Sequence, residues 1–388
     1  MINFTYHNPT KIVFGKDQVS ALSDLLKPYK NQTILLVYGR KSLKTYGIYD
    51  EIMNHLKPLN IKVIEESDVR PNPDLKSVLS GRKKVLEHNV KFILAAGGGS
   101  VIDCAKAIAF SVSIDEDKVW DVFLRKAEAK HAIPLGTVLT LSAAGSESNG
   151  NTVITNEDTK EKRAVSYPFI YPVFSIIDPS YTMHVDKHFV VAGGIDVIMH
   201  VFEQYFSNTL RTETSDYMSF GIIKSVIENV NRYLDGEDSY DTRANLSWAA
   251  TIGLNWILGQ GKVGDWATHR LSYPITQFYR ITHGYALTTI YPAWLRLALK
   301  ENPETMERRL TFLGKEVFNK KTAEDTILAI KDLFDSWDAP TSFKDGQVYL
   351  DGDAVRELAK NATALGSVGT IVEIDYKKDI ELFEDAKE

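Results

Sequence analysis

Cysteine is almost absent from this sequence. Cys104 is alone among 388 residues, so no intrachain disulfide can form, and any bound metal must rely on oxygen and nitrogen ligands. No apolar run approaches the roughly 20 residues of a membrane span, so no membrane partner is expected. Lys and Arg form no dense stripe and the formal net charge is −6, which argues against nucleic acid as a partner. The stretch "MINFTYHNPTKIVFG" lacks the basic-then-apolar pattern of a secretory signal, and with a single thiol a cytoplasmic setting is expected. No short-period repeat occurs.

What is present falls into two halves of different character. The first alternates β-branched apolar runs with helical patterns: "TILLVYG" (33–39), "KVIEES" (62–67), "KFILAAGGGS" (91–100), "AIPLGTVLT" (132–140) and "PVFSIID" (172–178), with helical stretches at 49–58 and 73–89. Such alternation predicts a parallel sheet covered on both faces. After "DPSYT" (178–182) strand-like runs nearly vanish, and helical patterns follow at 187–207, 214–234, 241–259, 285–299, 303–316, 322–337 and 352–362. The length exceeds what one hydrophobic core usually serves. The expectation is an α/β domain over 1–182 and an all-helical domain over 183–388.

"AAGGGSVIDCAKAIAF" (95–110) reads as a strand end, a glycine turn and a helix start. Glycines let backbone N–H groups approach an anion, and the helix N-terminus adds about half a positive charge. Gly97, Gly98, Gly99 and Ser100 therefore make a candidate pyrophosphate site, with Ser100 a candidate helix cap. The plainer reading is a tight strand-to-helix turn, and the G-x-G-x-x-G fingerprint is missing from the turn after the first of these runs. That turn instead carries Gly39, Arg40, Lys41 and Ser42: two cations and a hydroxyl that suit a 2′-phosphate, and no carboxylate to repel one. NADP(H) is expected in preference to NAD(H).

"GGIDVIMHVFEQYF" (193–206) is an apolar helix that nonetheless carries Asp196 and His200 four residues apart, on one face. A buried carboxylate needs a cationic partner. A hydrogen-bonded Asp–His pair is one solution; a metal ion is another. His269, on a short helical segment, and His283, at the start of the next apolar helix, lie downstream, separated by Pro274 and an expected loop. Together the four side chains offer one oxygen and three nitrogens, a set that suits Zn²⁺ or Fe²⁺. His184 and His188 form a rival i, i+4 pair, expected to be exposed.

These stretches, with "PTKIVFGKDQV" (9–19), "PNPDL" (71–75), "TLSAAGSESNG" (140–150) and "GDWATHRL…ITHGYAL" (264–287), give a chain that resembles the iron-containing, or group III, alcohol dehydrogenases, nearest the NADPH-dependent butanol dehydrogenase and aldehyde reductase branch. The resemblance implies a dinucleotide-binding α/β domain, a helical metal-binding domain and an active site in the cleft between them. It implies reversible hydride transfer between NADP(H) and small aldehydes or primary alcohols, and a homodimer, for which "NFTYHNP" (3–9) offers a candidate edge strand. By position it makes Asp196, His200, His269 and His283 the metal ligands. It places Asp103 and Lys106 on the cofactor side, and Thr140 and Lys162 near the nicotinamide and its ribose. The family commonly has a proton-relaying histidine four residues after the third ligand; here Tyr273 stands there, with a reference pKa of about 10. The "GRKS" turn also lacks the extra glycines of that branch. Two rivals are a dehydroquinate synthase-type lyase of the same two-domain plan, which needs a basic phosphate site not seen here beyond Arg270 and Arg280, and a nucleotide- and metal-binding homologue whose catalysis has decayed.

Overall fold

The computed structural model describes residues 1–388. Its first compact unit, residues 7–186 and 232–251, is built on eight strands. They are β1 (Lys11–Phe14), β2 (Thr33–Gly39), β3 (Lys62–Val69), β4 (Phe92–Gly97), β5 (Leu135–Leu139), β6 (Asn151–Asn156), β7 (Glu161–Ser166) and β8 (Phe174–Ile177). Six form a parallel sheet in the order β1-β8-β5-β4-β2-β3, while β6 and β7 pair antiparallel by themselves. Every residue of β4 and β5 is buried. Cover on both faces explains why these segments read as unbroken apolar runs rather than alternating ones. The C-terminal ends of β4 and β5 deliver Gly97 and Thr140 side by side, Thr140 N–H donating to the Gly97 carbonyl at 3.1 Å. Open parallel sheets bind ligands at this end of their strands.

The second unit comprises 1–6, 187–231 and 252–388, and its main elements are helices. Its central helix, Lys187–Tyr205, is buried from Val190 onward, so its apolar residues face neighbours on all sides. Helices Ala267–Tyr279 and His283–Glu301 pack together, joined only by residues 280–282, and the latter packs on the central helix. The contact is close at Gly284, where a Cβ would lie 2.3 Å from the Ala192 carbonyl oxygen; only glycine permits it. Pro274 does not end its helix, which continues to Tyr279. No helix is long and apolar enough to cross a membrane.

The units are not divided at 182/183, and neither is a continuous stretch. Met1–Tyr6 belongs with the helices because the Met1 ammonium donates to Leu210 O at 2.8 Å and Ile2 N–H to Gly261 O at 2.9 Å. Residues 232–251 belong with the sheet. Ser142 Oγ–H donates to Ser247 Oγ at 2.8 Å, Thr251 Oγ1–H donates to the buried Glu147 carboxylate at 2.7 Å, and Trp248 meets Phe14 edge-on. Side-chain bonds between segments a hundred residues apart leave no periodic trace. The helix expected to 259 ends at Gly253.

Asp379, in the first turn of the Tyr376–Asp385 helix, is fully buried with neither carboxylate oxygen hydrogen-bonded. Burial pushes its pKa well above the usual carboxylate value. The folded protein then holds a proton that the unfolded chain releases above about pH 4, so stability falls as pH rises from there. Asp379→Asn removes this titration. Its melting temperature should exceed that of the wild type by about 2 °C or more at pH 7–8, with the gap closing toward pH 4, as read by thermal melts across that range.

Candidate active site

Asp196 and His200 lie one turn apart on the central helix, and both are buried. His269 sits in the first turn of the Ala267–Tyr279 helix, and His283 is the first residue of the His283–Glu301 helix. The Nε2 atoms of His200, His269 and His283 lie 3.7, 3.7 and 3.8 Å from one oxygen, Asp196 Oδ1. These distances are too long for hydrogen bonds. They are near the separation of about 3.4 Å between ligand atoms around a tetrahedral cation with bonds of about 2.1 Å. Asp196 Oδ1 and His269 Nε2 are buried and have no hydrogen-bond partner. A simple hydrogen-bonded Asp–His pair would not leave them so, whereas a carboxylate and two imidazoles gathered together, with a third imidazole near the same oxygen, fit Zn²⁺ or Fe²⁺. Ligand atoms of Asp196, His200 and His269 all lie within 4.8 Å of one another. His283 reaches the same carboxylate oxygen from the more open side, its side chain 26% exposed.

Burial opposes ionisation of Asp196, but His200, His269 and His283 around it hold its pKa below the ordinary value. Burial brings His200 down to about 4, which keeps its imidazole neutral and ligand-competent at neutral pH. Burial lowers the His269 pKa, but the Asp196 and Glu203 carboxylates outweigh it and raise it to about 9, so a cation binding this ring displaces a proton.

The sequence reading missed Glu203. It lies at i+3 from His200 and i+7 from Asp196, on the same helix face, and is buried. That spacing was the available signal. Its Oε1 accepts from Thr268 Oγ1–H (2.6 Å), His269 N–H (3.0 Å) and His269 Nδ1–H (2.9 Å). The Trp266 ring lies against those of His200 and His269. Tyr273 is half-buried one turn beyond His269, its ring centroid 6.2 Å from that of His283. The rival histidines serve elsewhere: His184 stacks on Tyr46, and His188 shares a hydrogen bond with Thr282 Oγ1 at 2.6 Å.

In the sheet unit, the helix after β4 is Gly99–Ser111. Gly98, not Ser100, holds the cap position, and Ser100 lies inside the helix. No side chain caps this N-terminus, which leaves its N–H groups suited to an anion. None of Gly97, Gly98 and Gly99 has a positive φ. Close packing requires them instead, since a Cβ would lie 2.6 Å from Val101, 3.0 Å from Leu141 and 2.9 Å from Ala144 respectively.

Lys106 cannot face a cofactor. It is fully buried, and its ammonium lies 2.6–3.1 Å from Ser146 O, Ser146 Oγ, Asn149 Oδ1 and Asn151 O, so all three of its protons are committed to holding that loop. Burial lowers its pKa to about 8. Asp103 braces the same loop, accepting from Ser146 Oγ–H at 2.6 Å and Val153 N–H at 3.0 Å. Lys162, on β7, is buried and donates to Asn72 Oδ1 at 2.9 Å. Gly39 ends β2, and Ser42 opens a one-turn helix. The turn between them is not free of carboxylate: Asp68, at the end of β3, pairs with Arg40 Nε at 3.0 Å, both side chains exposed. Strand pairing brings in this residue from 28 positions away.

Residues 9–179 match the family described as iron-containing alcohol dehydrogenase, and residues 190–386 match the C-terminal part of the Fe-containing alcohol dehydrogenase family. The chain belongs to this family. It is 38% identical over 384 residues to a probable NADH-dependent butanol dehydrogenase 1 of Bacillus subtilis, covering 98% of each chain. It is 34% identical over 369 residues to the NADPH-dependent aldehyde reductase YqhD of Escherichia coli, covering 93% of this chain and 92% of that one. The crystal structure of an NADH-dependent butanol dehydrogenase A from Thermotoga maritima superposes with a TM-score of 0.94 at 35% identity, over 100% of this chain and 99% of that one. As a family member the chain is an alcohol dehydrogenase or aldehyde reductase using a nucleotide cofactor, with the fold expected from its sequence.

His269→Ala should leave far-ultraviolet circular dichroism unchanged while its zinc or iron content after gel filtration falls to a small fraction of the wild-type value. Full metal stoichiometry in the variant would remove His269 from the ligand set.

Proposed function

We propose that the protein interconverts small aldehydes and primary alcohols, with NADP(H) as preferred nucleotide and Fe²⁺ or Zn²⁺ held by Asp196, His200, His269 and His283. The observation that carries this reading is the ring of three imidazole Nε2 atoms around the unpartnered Asp196 oxygen. When bound, the cation supplies Lewis acidity toward a carbonyl oxygen, and the nicotinamide supplies the hydride. The chain's own residues supply placement and charge. Three neutral imidazoles and one carboxylate offset only half of a divalent charge, so the centre keeps its electrophilic character. The uncapped N-terminus of the Gly99–Ser111 helix favours a pyrophosphate. The Tyr273 hydroxyl, on the helix of one ligand and with its ring beside that of another, suits orientation of a substrate oxygen by hydrogen bonding, with proton exchange left to water. A homodimer belongs to the same reading, supported by the exposed apolar side chains of Met1, Ile2 and Phe4 in the N-terminal stretch.

Arg40 and Lys41 support the NADP(H) preference, and Asp68 opposes it. A carboxylate beside Arg40 also supports a second reading in which NAD(H) is accepted, the cofactor named for the Bacillus subtilis relative. Arg40→Asp should raise KM for NADPH by about tenfold, equivalent to roughly 1.4 kcal/mol, and change KM for NADH far less. Asp68→Asn should lower KM for NADPH. Equal responses with both nucleotides would refute the role given to this turn.

The assay for the whole proposal is oxidation of NADPH by butanal, followed at 340 nm. Turnover should be abolished by a chelator and restored by Fe²⁺ or Zn²⁺. Binding of NADPH without turnover under all metal conditions would instead mark a decayed homologue.

A further inference from the structure

Glu203 occupies an unusual position among the buried acids of the helical unit. A single oxygen of its carboxylate receives three donors, and all three come from the first turn of the helix that carries His269. The residue preceding that helix, Trp266, has a left-handed backbone (φ 62°) and supplies no side-chain cap. Glu203 therefore does from outside what a capping Ser or Asp normally does from within: it satisfies the His269 N–H and the Thr268 hydroxyl.

The third bond has a different consequence. An ionised carboxylate can only accept, so the His269 nitrogen facing Glu203 must be the protonated one. That nitrogen is Nδ1, at 2.9 Å. The lone pair of a neutral ring is then confined to Nε2, the atom that is buried without a partner and 3.7 Å from Asp196 Oδ1. Asp196 and Glu203 lie seven residues apart on the central helix and address opposite edges of one imidazole ring. The ring's tautomer and its orientation are thereby fixed by the same helix that carries two of the ligands.

We propose that Glu203 is a positioning residue for the metal centre: its carboxylate locks His269 in the Nδ1–H tautomer and holds its Nε2 toward the cation. This rests on the reading of Asp196, His200, His269 and His283 as a metal site. Carboxylate–histidine–metal relays of this kind raise ligand basicity, and their loss typically weakens metal affinity by about 10- to 100-fold.

The test is titration of Co²⁺ into the metal-stripped full-length protein, followed by its visible d–d absorption, for wild type, Glu203→Ala and Glu203→Gln. Glu203→Ala should bind Co²⁺ about 10- to 100-fold more weakly. Glu203→Gln keeps an oxygen acceptor for Nδ1–H but loses the charge, and should fall between the two. A residue that merely capped the helix would lower the melting temperature equally with and without metal and leave Co²⁺ affinity at the wild-type value; that result overturns the proposal. Should Glu203→Ala not fold, nitrogen NMR of histidine-labelled wild type loaded with Zn²⁺ decides the matter. Protonated Nδ1 with metal-bound Nε2 on His269 supports the assignment, and the reverse tautomer overturns it. Wild type that binds no Co²⁺ overturns the metal centre and this assignment together, an outcome distinct from wild-type affinity in the variant.

Discussion

Placing a carboxylate inside an apolar helix is a demand the rest of the helical unit has to meet. An ionised group in such surroundings is unfavourable by several kcal/mol unless cationic or donor groups surround it. Asp196 Oδ1 has no hydrogen bond, and what surrounds it is three imidazoles. Only one of the three comes from its own helix. The other two arrive because two further helices are joined by three residues and because one of them approaches the central helix at Gly284. Packing and electrostatics are thus one problem here: the arrangement that closes the core also brings the nitrogens to the oxygen.

Much of this could be read in advance, for reasons that differ from element to element. β2 and β4 are buried on both faces and so appear as unbroken apolar runs. Asp196 and His200 are visible because i, i+4 on an apolar helix is a local pattern. The hairpin of β6 and β7 escaped notice because β6 is bounded by asparagines and β7 opens on glutamate, lysine and arginine, and β1 because its four residues are exposed at both ends. The loop expected between His269 and His283 lies at 280–282, and Pro274 sits inside the helix before it. Glu203 was within reach of the same helical periodicity that exposed its neighbours, but its partners lie 65 and 66 residues away and could be known only from the fold.

The sheet unit teaches a different lesson about residue type. The family resemblance puts Lys106 and Asp103 on the cofactor side, yet both spend their hydrogen bonds on the 146–153 segment. Their charge is structural, holding the turn at 146–149 and the first residues of β6. The Arg40 turn shows the converse. Its local sequence reads as purely basic, and the neighbouring strand contributes the opposing charge. Local composition gives the sign of a side chain, whereas the net field at a site depends on which strands lie next to each other.

The contact between Gly284 and the Ala192 carbonyl has a bearing on how such an enzyme could be re-engineered. Position 284 is an anvil: it cannot yield without driving apart the two helices that hold His283 and Asp196. Tyr273 is half-buried, one turn from His269. On the reading proposed above, a search for altered alcohol range has a natural division of territory, with diversity introduced around 273 and the floor beneath His283 left untouched.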